Sequence, residues 1–108
     1  MAGFDEREKG QEAKFAHDSE MEFKAEARRN KLLGLWAAEK MGVAEESDRL
    51  AYAAEVVAAD FSEVGEEDVV RKITGDFADK GVAVGEDEIR AKLAELLPVA
   101  RDQVLQEG

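Results

Sequence analysis

Apolar residues recur at three- and four-residue steps along most of this chain, a period that predicts helices. The longest predicted helix covers residues 19–41, SEMEFKAEARRNKLLGLWAAEKM, and its halves are unlike. Residues 20–31 are mostly charged, whereas residues 32–41 are mostly apolar and hold Trp36, the one tryptophan. A helix patterned this way cannot bury its whole length. The expectation is that the apolar half seats in a core and the charged half projects outward. Ser19 with Glu22 fits a capping box, and Gly42 fits a left-handed helix stop.

Three further helices follow. Residues 45–62 place Leu50, Ala53, Ala54, Val57, Ala58 and Phe61 on one stripe, whose small side chains permit close helix contact. Residues 66–80 begin with Glu66, Glu67 and Asp68, where the helix dipole favours anions. Val69 or Val70, Ile73 and Phe77 form the buried stripe there. The loop GVAVG then tucks Val82 and Val84 towards the core. The last helix opens at Glu86, Asp87 and Glu88 and carries Ile89, Leu93, Leu96, Leu97, Ala100 and Val104 on its apolar face. Pro98 lacks a backbone donor, which predicts a kink or break near Leu97. Strand patterning is absent apart from the short VAV. The predicted fold is therefore all-α: a four-helix bundle over residues 19–108, with a long first helix and a flexible arm at residues 1–18.

The arm, MAGFDEREKGQEAKFAHD, has charges of both signs and few hydrophobes. Phe4 and Phe15 lie about three helical turns apart and would share a face, yet Gly10 between them weakens a helix by about 1 kcal/mol. Two readings stand: a segment that orders on a partner, with both rings as anchors, or a frayed, solvated terminus.

Charge sharpens this division. The net charge is −11. Residues 1–41 hold 8 Lys/Arg against 9 Asp/Glu, and the remainder 7 against 17. So acidic a body repels phosphate, which argues against nucleic acid and anionic membranes as partners. There is no cysteine, so neither a disulfide nor a thiolate metal site can form. No signal-like run or spanning segment appears, and a cytoplasmic location is the default expectation.

Little points to catalysis. His17 lacks a second histidine, so no metal role is expected of it. Carboxylate pairs such as Asp76 with Asp79, or Glu45 with Glu46, are common by chance in an acidic chain, and no apolar pocket flanks them to raise a pKa. Phosphate-loop, nucleophile-elbow and HExxH patterns are missing. Arg28, Arg29 and Lys31 followed by Trp36 are more suggestive, since cations beside an indole suit a nucleotide: charge for phosphate and a ring for stacking. The alternative is that these cations pair with Glu22, Glu26 or the acidic body, with Trp36 as core. Gly34, inside a strong helix, would let another backbone come close.

The string FDEREKGQEAKFAHDSEMEFKAEARRNKLLGLWAAEKMG, followed by AYAAEVVAADF and EEDVVRKITGDF, resembles the zeta-subunit family of alpha-proteobacteria, inhibitors of the F-type ATP synthase. The likeness spans nearly the whole chain and implies a four-helix bundle that regulates ATP hydrolysis without being an enzyme itself. It implies that residues 1–18 enter a cleft between catalytic subunits beside the rotor, with Phe4, Asp5, Arg7, Glu8, Lys9, Lys14 and Phe15 as contacts. The partners would be the alpha, beta and gamma subunits, which places the protein peripherally at the inner membrane. It further implies ADP or ATP as a regulatory ligand, with no cofactor required. A different reading of the same features is an acidic, nucleotide-sensing helical adaptor for another protein.

Overall fold

The computed structural model describes the backbone of residues 2–60 and 66–107 and the side chains of residues 20–60 and 66–107. Four helices follow in order: α1 (Ala2–Lys40), α2 (Glu46–Ala59), α3 (Glu67–Lys80) and α4 (Glu86–Glu107). No strand occurs among the described residues. α1 is the hub, packing along both α2 and α4, while α3 bridges α2 and α4 and touches α1 only lightly.

Two glycines set the corners. Gly42 has φ +80° and Gly81 has φ +70°, a conformation costly to any residue with a Cβ. At the end of α1, the N–H groups of Gly42 and Val43 donate to Glu39 and Ala38, both at 3.0 Å. At the end of α3, those of Gly81 and Val82 donate to Ala78 and Phe77, at 3.3 and 2.8 Å. This doubled bond satisfies carbonyls that a helix end would leave bare. It also swings Val82, and Val84 after it, onto the core as expected.

The core joins Leu33 and Ala37 of α1, Val56 of α2, Val69, Val70, Ile73 and Phe77 of α3, and Ile89 and Leu93 of α4. Each large aliphatic or aromatic member contributes roughly 1.5–3 kcal/mol through burial. Trp36 packs against this cluster and meets Phe77 edge to face, with ring centroids 5.9 Å apart. Gly34 is buried against α2. A Cβ there would lie 2.6 Å from the Ala53 Cα, so the glycine is what lets the two backbones approach.

The structure departs from the expected pattern in four places. The first helix does not begin at Ser19 but runs through from Ala2; the proposed Ser19 cap lies outside the described side chains. The α2 stripe is rotated by one residue. Ala53 and Val56 are its buried members, whereas Leu50, Ala54 and Ala58 are exposed, and Phe61 falls outside the described residues. Arg49, Tyr52 and Asp60 take the flanking positions, because each buries its stem while its polar tip finds a partner. The charged half of α1 does not project outward. Ala25, Arg29 and Asn30 are buried there, since α2 and α4 both pack along α1. Pro98 neither breaks nor ends α4. The carbonyl it leaves without a donor belongs to Ala94, an exposed residue, so water can take that role.

Candidate functional site

The arm joins the bundle at residues 20–31 of α1, which are held from two sides by polar contacts. Towards α4, Arg101 forks onto Glu22, with Nε and Nη2 donating to its carboxylate at 2.6–3.2 Å. That hydrogen-bonded guanidinium lowers the Glu22 pKa below its usual value. One turn and a half on, Arg28 donates to Gln103 at 2.9 Å and pairs with Glu107 at 2.6 Å. Towards α2, Asn30 is 1% exposed, and its Nδ2 donates to Asp60 at 2.9 Å. Its Oδ1 accepts from Nε and Nη2 of Arg29 at 3.2 and 3.1 Å. A buried guanidinium is thus linked to a carboxylate through a neutral amide, which joins α1 to the end of α2.

Between these clasps lies a groove of about 400 Å³. Phe23, Ala27, Val57 and Val104 give it an apolar wall, and Lys24, Arg28, Lys31 and Glu107 a charged rim. Phe23 is 74% exposed, the barest large hydrophobe among those described. A single aromatic ring within a charged run, and the cations Arg28 and Lys31 after it, are the hints of this groove along the chain. Its walls come from three helices far apart in sequence, so spacing alone does not reveal it.

The four residues proposed for a nucleotide are distributed over the bundle. Arg28 and Lys31 share the groove rim. Arg29 is turned inward to Asn30, and Trp36 sits on Phe77 with Lys40 Nζ 6.0 Å from its ring centroid. Arg28 meets Glu107 and Gln103 rather than Glu22 or Glu26. The arm residues Phe4, Asp5, Arg7, Glu8, Lys9, Lys14 and Phe15, like His17, fall where only the backbone is described.

Elsewhere, two clusters of ionisable groups tie helices together. Asp76 accepts from the Tyr52 hydroxyl at 2.6 Å and from Lys72 Nζ at 2.9 Å. Burial by itself would raise the Asp76 pKa, but the hydroxyl and the ammonium together hold it below 3.8. Burial, and then the bond to Asp76, push the Tyr52 hydroxyl far above the ordinary phenol range. A carboxyl held ionised in this way is the opposite of a general acid poised near neutrality. Arg90 joins the starts of α3 and α4, donating to Glu67 at 2.9 and 3.1 Å and to Glu86 at 3.0 Å. Among the described residues no group of three metal-ligating side chains gathers, and no helix is long and apolar enough to cross a membrane.

Comparison with solved structures finds a protein determined by solution NMR that is 53% identical, with a TM-score of 0.72. The match covers 82% of this chain and 99% of that one. Comparison with curated proteins returns no match. The family described as ATPase inhibitor subunit zeta matches residues 1–103, almost the entire length. On that match, the chain belongs to the ATPase inhibitor subunit zeta family.

Proposed function

We propose that this protein blocks ATP hydrolysis by the F-type ATP synthase by placing residues 1–18 in a cleft between catalytic subunits, next to the rotor. Phe4 and Phe15 anchor the segment there, and Asp5, Arg7, Glu8, Lys9 and Lys14 make its polar contacts. The observation that carries this reading is the continuity of α1. A single helix, Ala2–Lys40, bears the arm sequence at one end and is gripped by α2 and α4 along the other. A plug needs that combination, since the arm enters while the body stays out. Ordering a segment costs about 1–2 kcal/mol per residue fixed; pre-forming it as an extension of a held helix lowers that cost.

Adenine nucleotide is the regulatory ligand of this reading. Arg28 and Lys31 on the groove rim are the cations best placed for its phosphates, while Arg29 and Trp36 support the helix that carries them. No cofactor is needed for the block itself.

The test is ATP hydrolysis by the cognate enzyme with the full chain and with a variant lacking residues 1–18. The full chain should inhibit; the truncated one should not, although it keeps its helical circular dichroism. Undiminished inhibition by the truncated chain would overturn the proposal. For the nucleotide, ADP titration followed by amide chemical shifts should move residues 28–36, and an unmoved spectrum removes that site.

A further inference from the structure

We propose that the groove at the root of the arm is a second docking surface, and that its occupant is an acidic amphipathic helix on the ATPase. This rests on the arm reading above and extends it. The groove's apolar wall includes Val57 and Val104, and Phe23 stands at its edge with most of its ring in water. An exposed aromatic beside an apolar cleft is the usual anchor of a protein contact.

The rim specifies the partner's charge. Lys24 and Lys31 are both exposed, and neither has an ion-pair partner among the described residues. Arg28 between them is already held by Glu107. Seven residues separate the two free ammonium groups, about 10 Å along the helix axis at 1.5 Å per residue. That is two helical turns, the repeat at which a facing helix presents carboxylates from one side. A single phosphate group cannot bridge such a separation, and the backbone N–H groups of a helix interior are not free to cradle one. The cations are also a local exception on a chain of net charge −11, which would repel an anionic bilayer. An acidic helix with one apolar face complements both the wall and the rim.

Position names the molecule that bears it. The groove begins at Phe23, one helical turn past residue 18, so an arm seated in a cleft brings this surface against the mouth of that cleft. Docking here would set how deeply the arm enters and would slow its escape.

The experiment measures inhibition and binding of the cognate catalytic head by three full-length proteins: the natural chain, Phe23→Ser and Lys24→Glu. Both altered side chains are exposed, so circular dichroism should match the natural protein. Each variant should need roughly tenfold more protein for half inhibition, as expected for loss of a hot-spot contact. The arm is intact, so inhibition at saturation should stay complete. The Lys24→Glu variant should also lose part of the salt dependence of binding, because screened attraction is what it removes. A chain lacking residues 1–18 should retain weak binding to the head that both variants abolish. Unchanged half-inhibition and unchanged binding in both variants overturn this proposal and leave the arm reading standing. Conversely, inhibition that survives arm deletion refutes the arm reading, while the binding measurements still judge the groove. Two other results would reassign the groove and overturn the proposal: a free-chain dimer that the variants dissolve, or loss of ADP-induced shifts with affinity for the head unaltered.

Discussion

Alanine substitution at two glycines inside helices should move stability in opposite directions. Both Gly34 and Gly75 lie within helices, where glycine is about 1 kcal/mol worse than alanine. Propensity alone predicts that either change stabilises. At Gly75 a Cβ meets nothing within 4 Å, so the full gain should appear. At Gly34 the new methyl would lie 2.6 Å from the Ala53 Cα, 3.1 Å from its Cβ and 3.2 Å from a Val56 methyl. Ordinary contact begins near 3.4 Å, so α2 must withdraw by most of an ångström. The obstructing atom is backbone, which no rotamer change can move. Overpacking of this kind costs about 1–3 kcal/mol, and rigid backbone puts it at the upper end. After subtracting the propensity gain, Gly34→Ala should lose on the order of 1–2 kcal/mol. For a domain near 100 residues, 1 kcal/mol shifts Tm by roughly 4 °C or more. Thermal melts followed by circular dichroism should therefore show Gly75→Ala melting about 4 °C higher and Gly34→Ala at least that much lower. A Gly34→Ala protein that melts at or above the natural one would refute the close approach of α1 and α2.

Other expectations follow from the polar contacts. Asn30→Ala should destabilise by about 1–3 kcal/mol, because it strips the Arg29 guanidinium and the Asp60 carboxylate of a buried partner; urea titration measures it. Asp76→Asn should lower stability at neutral pH by about 1 kcal/mol, through loss of its charge-assisted bonds to Tyr52 and Lys72. The folded-state pKa of Asp76 is depressed, so its contribution is present above the unfolded value near 3.8 and fades as pH falls through the folded one. The Asp76→Asn variant should accordingly show a shallower loss of stability below about pH 4, and an unaltered acid limb would count against the assignment. Removal of residues 1–18 should leave urea unfolding of the bundle nearly unchanged while abolishing inhibition in the hydrolysis assay.

Where hydrophobic spacing was strong, the fold was legible. In α3, Ile73 and Phe77 fix the buried face, the spacing leaves Val69 or Val70 open at its start, and all four are buried. In α2 the run AYAAEVVAAD offers two nearly equivalent faces. The choice was made by Tyr52 and Asp60, whose partners Asp76 and Asn30 lie on other helices and leave no local trace. The same reason hid the burial of Arg29 and Asn30. Charge along α1 suggested exposure, but a residue's environment is set by what folds over it, and here α2 and α4 both pack on α1. The groove was missed likewise: Arg28 and Lys31 were visible as a basic cluster, whereas Phe23, Val57 and Val104 meet only in three dimensions.

The clasp between Glu107 and Arg28 has a practical corollary for anyone who labels this protein. A reporter or affinity handle attached near Glu107 would emerge beside the very stretch from which the arm departs. Crowding there would weaken inhibition and be mistaken for a loss of intrinsic potency. The turn around Ala83 is exposed and stands a helix-length away, about 30 Å by the rise of α4. Fluorophores and tethers belong at that corner.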